Sequence, residues 1–152
     1  MPTAVTEGIR VTVEATYLPD RSSPDESSYA FAYTVTIANE NAARVQLRRR
    51  HWIITDGNGH VEEVEGPGVV GEQPVLERGE AHRYSSGAVL ATPVGTMEGT
   101  YEMHETGGRV FKASIPRFAL QVPGIPSSAP WGASRSTWPG FATARHWLPD
   151  RP

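Results

Sequence analysis

The residues best suited to chemistry are three glycines and a run of basic side chains shortly before them. Gly66, Gly68 and Gly71 have the spacing G-x-G-x-x-G, which in dinucleotide-binding proteins follows a strand and opens a helix whose N-terminus holds a pyrophosphate. Pro67 and Pro74 interrupt this stretch, and no helical run of about ten or more residues follows it. The spacing is therefore present without the context that makes it specific.

Two interpretations of the glycine segment remain open. Backbone N–H groups of glycines can form an anion-binding nest without a helix, and arginine guanidiniums can add bidentate contacts to phosphate. On this hypothesis the chain binds an anion or a pyrophosphate-containing nucleotide through Gly66, Gly68, Gly71, Arg48, Arg50 and His51. The alternative, which we favour, is a bend between strands of opposite sheets, with Val69 and Val70 in the core.

The basic run Arg48-Arg49-Arg50-His51 also has two interpretations. Its side chains either turn toward the glycines or pair with acidic residues across a hairpin turn at Asp56–Gly59. We favour the pairing, because charges on strands usually lie on solvated faces. The acidic partners would be Glu62, Glu63 and Glu65.

The remaining polar residues predict neither a metal centre nor an active site. Possible metal ligands are His51, His60, His82, His104 and Asp56. Imidazole suits cobalt and zinc, but no pair of histidines has the tight H-x-x-x-H spacing of a helical metal site. No serine lies in a G-x-S-x-G elbow. We therefore expect no bound metal, no cofactor and no enzymatic activity.

The elements that position these residues have the two-residue period of β-strands. Apolar residues alternate with polar ones from Ile9 to Tyr17 and again from Phe31 to Ile37. In the next strand the apolar face changes phase, which requires one extra residue, and the sequence places this β-bulge within Arg48–His51. With further strands at Ala81–Tyr84 and on both sides of a Thr106–Gly108 turn, the pattern predicts an all-β sandwich of about seven strands.

Composition limits the class of protein. The chain has 152 residues, a net charge of −3 and no cysteine, which excludes disulfides and thiolate metal sites and is compatible with a cytoplasmic location. The acidic balance argues against a nucleic-acid partner. No apolar run approaches the roughly 20 residues that cross a bilayer, so we expect no membrane insertion.

The sequence divides into a domain at 1–122 and a C-terminal segment at 123–152. Residues 121–152 contain six of the thirteen prolines and three of the four tryptophans. Proline at this density is typical of an extended or disordered segment, whereas tryptophans carry large apolar area. The segment could pack against the domain, remain disordered or anchor a partner.

Several motifs in order resemble the ApaG domain family of bacteria, from about Thr3 to about Leu120. Besides the glycine segment, they are Arg50–Asp56, Ser85–Gly87 with Thr92-Pro93, Met97–Tyr101 and Ile115–Leu120. The resemblance implies an immunoglobulin-like or fibronectin-III-like sandwich. It also implies a link to cobalt resistance and magnesium efflux, without an agreed chemistry.

The resemblance gives the function that we expect. Related domains occur in eukaryotic F-box proteins and in a DNA-polymerase-interacting protein, where binding is the expected role. We therefore expect a non-catalytic module that recruits an unidentified protein partner, with the pyrophosphate-nucleotide binder as the alternative. An open sheet edge could recruit that partner by strand addition, and it could also join two copies as a homodimer.

Overall fold

The computed structural model describes residues 1–124 and the backbone of residues 145–147. Within these residues the chain forms ten strands: β1 (Thr3–Thr6), β2 (Ile9–Tyr17), β3 (Tyr29–Asn39), β4 (Val45–Asp56), β5 (Val61–Pro67), β6 (Val75–Leu76), β7 (Ala81–Leu90), β8 (Val94–Glu105), β9 (Val110–Gln121) and β10 (Arg145–Trp147). Two short 3-10 helices, Pro19–Arg21 and Pro24–Glu26, lie between β2 and β3. Neither helix is long and apolar enough to cross a membrane.

The strands form two antiparallel sheets, which confirms the predicted all-β sandwich. One sheet has the order β1-β2-β3-β7-β10, and the other has the order β5-β4-β8-β9, with β6 also paired to β4. The bulge-bearing strand β4 therefore lies inside the second sheet, between β5 and β8. Among the described residues, the first sheet continues past β7 with the three-residue β10.

The core lies between the inner faces of the two sheets. The alternation seen in the sequence places Ile9, Val11 and Val13 of β2 in the core, while the residues between them face outward. At the centre the fully buried Trp52 of β4 meets Tyr33 edge-on at 5.3 Å between ring centroids. Phe118 contacts the same ring from β9 at 6.0 Å. The residue after the basic run is thus an anchor of both sheets.

The structure differs from the prediction in the number and length of strands. β1, β6 and β10 have only four, two and three residues, which is too short for a periodic pattern to show. β7 extends to Leu90 rather than ending at Tyr84, because Ser85–Gly87 continues the pairing with β3 despite its low strand propensity. Tertiary pairing overrides local preference there.

Most predictions for the C-terminal segment lie outside the described residues. β9 ends at Gln121, and the division into a domain at 1–122 and a segment at 123–152 stays a prediction. Of that segment, Arg145–Trp147 pairs antiparallel with Gly87–Val89 of β7.

Candidate functional site: the arginine bulge and the glycine segment

The predicted bulge is present in β4. Opposite β8, Leu47 pairs with Met103 and Arg49 pairs with Glu102, so Arg48 is the extra residue. This insertion reverses the alternation, and it separates the basic run onto two faces of the sheet. Arg50 joins the inward row that continues through Trp52, whereas Arg49 and His51 lie in the outward row.

Arg50 contacts the glycine segment. Its Nη1 atom donates hydrogen bonds to the carbonyl oxygens of Pro67 and Gly68, both at 3.0 Å. The guanidinium lies across Gly66, where a Cβ atom would come within 3.1 Å of both Nη1 and Nη2. One guanidinium therefore does turn toward the glycines, and the groups it meets are carbonyl oxygens.

The glycine segment is a tight connection between β5 and β6. Gly68 has φ +64°, and its N–H donates to the Arg48 carbonyl at 2.9 Å. Val69 and Glu72 exchange two backbone hydrogen bonds of 2.8 and 3.0 Å, and Val69 is buried while Val70 is only partly so. The next described element is a strand, so the spacing lacks the helix of the dinucleotide fingerprint. Anion binding through Gly66, Gly68 and Gly71 stays a prediction, with the Gly68 amide already hydrogen-bonded in this structure.

A cluster of tyrosines lies on the inner side of Arg50. The hydroxyls of Tyr84 and Tyr101 form a short hydrogen bond, and Tyr33 and Tyr101 are fully buried. Burial raises the pKa of all three phenols, while the nearby charge of Arg50 acts in the opposite direction. The phenols are therefore protonated at neutral pH, and they act as hydrogen-bonding groups rather than as bases.

On the outer face, His51 meets two glutamates of β5. Its Nε2 atom lies 2.8 Å from Glu63 Oε1 and 3.8 Å from Glu65 Oε2. The predicted pairing across the hairpin is thus observed for His51. Arg48 instead donates from Nε to the side-chain oxygen of Gln46 at 2.9 Å.

A shallow groove of about 160 Å³ runs beside His51 on the outer face of the same sheet. Among its lining residues are Arg49 and Lys112, with Glu102 between them on β8. Glu102 Oε2 also accepts a hydrogen bond of 2.7 Å from His104 Nε2. This hydrogen bond is the largest cause of the lowered pKa of Glu102, and the charges of Arg49 and Lys112 add to it.

Sequence reasoning missed the tyrosine cluster, and it predicted the pairing of the basic run with Glu62, Glu63 and Glu65 without singling out His51. The tyrosines come from three strands of two sheets, and nothing in the local sequence brings them together. Counting the register back from the hairpin would have singled out His51, because the Asp56 N–H donates to the His60 carbonyl and His51 then faces Glu65.

Comparison with known proteins shows the family of this chain. The model of the ApaG domain family matches residues 19–105. Protein ApaG of Brucella anthropi is 55% identical over 120 residues, which are 79% of this chain and 92% of that protein. Protein ApaG of Pseudomonas aeruginosa is 53% identical over 116 residues, which are 76% of this chain and 92% of that protein.

Two solved structures have the same fold. A Bordetella pertussis protein described as ApaA superposes with a TM-score of 0.74 at 45% identity, covering 82% of this chain and 98% of that one. An X-ray structure of a structural-genomics target, SoR45, also has a TM-score of 0.74, at 47% identity, covering 78% of this chain and 90% of that one. With the family match and these relatives, the chain belongs to the ApaG domain family.

Proposed function

We propose that this chain is a non-catalytic protein-interaction module that binds an extended segment of a partner protein at the edge of β7. One observation carries the proposal: β10 already pairs with Gly87–Val89 on the open side of β7. The backbone of β7 therefore accepts an added strand. Among the described residues, Ala81–Ser85 has no strand partner on that side.

The hydrogen-bonding groups of this free edge can be assigned from the ladder. Asn39 of β3 donates its N–H to the Glu80 carbonyl at 2.9 Å, and the direction of backbone groups alternates along an antiparallel strand. Ile37 and its partner His82 therefore bond to each other, while Arg83 directs its N–H and C=O away from β3. An incoming strand would therefore bond to the N–H and C=O groups of Arg83 and Ser85. These groups lie in the same row of β7 as the ones that face β10.

The other edges of the sandwich are less open to a partner strand. β5 ends in Pro67, which has no N–H, and carries the exposed Glu63 and Glu65. Edge prolines and charges are features that disfavour strand addition. The edge of β9 lies against β1, where the Ser114 N–H donates to Thr6 Oγ1 at 3.0 Å.

The chemistry of the bulge supports a non-catalytic role. Arg50 is bonded to backbone carbonyls, and the raised pKa values of Tyr84 and Tyr101 leave these phenols without basic character at neutral pH. The resemblance to the ApaG family adds a link to cobalt resistance and magnesium efflux. We propose that the partner is a cytoplasmic protein of divalent-cation handling, and that this chain is not itself the transporter.

A substitution in β7 tests the proposal. Arg83→Pro removes the outward N–H, and Arg83→Ala removes the side chain but keeps that N–H. In pull-downs from the native host, the wild type and Arg83→Ala should retain a specific partner that Arg83→Pro loses, with the fold of each variant checked by circular dichroism. Equal retention by Arg83→Pro would exclude the β7 edge. Capture of only a second copy would replace the partner by a homodimer.

The alternative is binding of pyrophosphate-containing nucleotides, which the position of the Arg50 guanidinium beside Gly66 favours, whereas the two carbonyl oxygens bonded to its Nη1 atom count against it. It is tested by amide NMR during titration with pyrophosphate. Saturable shifts confined to Gly66, Gly68, Gly71 and the bulge support the anion site. Unmoved glycine amides at millimolar pyrophosphate would end this alternative.

A further inference from the structure

Three potential metal ligands converge on the outer face of the second sheet. His51 lies on β4, Glu65 is its direct partner on β5, and Glu63 lies two residues before Glu65 on the same face. His51 Nε2 is 2.8 Å from a Glu63 oxygen and 3.8 Å from a Glu65 oxygen, and all three ligand atoms lie within 4.8 Å of one another. Among the residues that the structure describes, this is the one group of three such ligands.

The distances fit a cation of the first transition row. Nitrogen and oxygen ligands bind such an ion at about 2.0–2.2 Å, so neighbouring ligand atoms around it lie about 3 Å apart. The two separations from His51 Nε2 bracket this value. Glu63 and Glu65 are 60% and 61% exposed, so their side chains can rotate to improve the geometry without disturbing the core.

The local charges favour a cation at this point. Two carboxylates face a single imidazole, so even a protonated His51 balances only one of them. Arg49 and Lys112 line the adjacent groove together with Glu65, and their charges add to the hydrogen bond from His104 in lowering the pKa of Glu102. The feature that favours a cation here is the pair of carboxylates that faces one imidazole.

We propose that His51, Glu63 and Glu65 form a binding site for a late first-row divalent cation such as Zn²⁺. One imidazole with two carboxylates is a ligand set for these ions, whereas Mg²⁺ prefers oxygen ligands alone. His51 and Glu65 also line the 160 Å³ groove, which leaves room for water to complete the coordination. This site revises the expectation of no metal, because its ligands lie on two strands and have no helical spacing.

The experiment is a calorimetric titration of the full chain with Zn²⁺ near neutral pH, with Mg²⁺ titrated separately. The wild type should bind one Zn²⁺ saturably, and His51→Ala and Glu63→Gln should each weaken the affinity at least about tenfold. His104→Ala is the matched control, because His104 Nε2 also lies 2.7 Å from a glutamate, Glu102, but is in no group of three ligands. It should retain Zn²⁺ affinity within about twofold of the wild type.

Three outcomes would overturn the proposal. The first is the absence of a saturable heat at millimolar Zn²⁺. The second is unchanged affinity in both His51→Ala and Glu63→Gln, which would assign the binding to other histidines of the chain. The third is equal affinity for Mg²⁺, which would indicate diffuse attraction by carboxylates rather than coordination by an imidazole. Since Glu63→Gln preserves the shape of an exposed side chain, a folding defect does not obscure its result.

Discussion

Replacing Arg50 should destabilise the sandwich in a way that its neighbour Arg49 does not. Arg50 donates two hydrogen bonds of 3.0 Å to the carbonyls of Pro67 and Gly68. A hydrogen bond from a charged donor contributes about 1.5–3 kcal/mol to stability when it is buried, and less at the surface, where water competes for the donor. The bond to Gly68 is partly buried and the bond to Pro67 is exposed. We therefore expect Arg50→Ala to lower the free energy of unfolding by about 2 kcal/mol.

Urea unfolding followed by tryptophan fluorescence measures this loss. For a slope of about 2 kcal/mol per molar, the midpoint should fall by about 1 M. Arg50→Lys should lose about half as much, since one ammonium lacks the planar fork that spans two carbonyls. Arg49→Ala, on the outward face, should stay within about 0.5 kcal/mol of the wild type. An unchanged midpoint in Arg50→Ala, or an equal fall in Arg49→Ala, would refute the structural role of the Arg50 contacts.

Three further predictions concern the glycine segment and the tyrosines. Gly68→Ala should cost more than about 2 kcal/mol in urea unfolding, because a Cβ would lie 2.3 Å from the Glu72 carbonyl oxygen. Gly59→Ala, with φ +82° and no neighbour within 4 Å, should cost only about 1 kcal/mol, and equal losses would contradict the clash. Tyr84→Phe should lower the free energy of unfolding by about 1 kcal/mol, since it removes the partner of the Tyr101 hydroxyl. Burial raises the pKa of Tyr101. The stability that this buried neutral phenol contributes is therefore fully present below the ordinary pKa near 10, and it falls above that pH as the unfolded state releases the proton. Ionisation of Tyr101 without loss of circular dichroism would contradict this.

The sequence predicted the fold well because the sandwich depends on local alternation. The phase change between Leu47 and Trp52 located the bulge within a few residues, and the structure places the extra residue at Arg48. Alternation says which face a side chain takes, but not which strand of the other sheet it meets. For that reason the cluster around Tyr101 could not be derived before the sheets were assembled. The contact of Arg50 with backbone carbonyls depends instead on the turn that follows β5, whose path alternation does not describe.

In this chain the G-x-G-x-x-G spacing coincides with close backbone contacts that arise from packing. Gly66 allows the guanidinium of Arg50 to lie across the backbone, and Gly68 adopts a positive φ where β5 turns toward β6. Both requirements follow from packing between neighbouring segments of one sheet. A pattern of glycines therefore predicts close backbone approach reliably, while the identity of the approaching group depends on what the fold brings there.

The two proposed sites lie on different sheets, and their effects should be separable. Zn²⁺ would join His51 of β4 to Glu63 of the edge strand β5, and a ligand at a hundred times its dissociation constant raises the free energy of unfolding by about 2.7 kcal/mol. Partner capture would involve Arg83 on the free side of β7 in the other sheet. Arg83→Pro should therefore bind Zn²⁺ like the wild type, and saturating Zn²⁺ should leave partner capture unchanged. A change in capture on adding Zn²⁺, abolished by His51→Ala, would show that the two sheets respond together and that the sites are coupled through the core around Trp52.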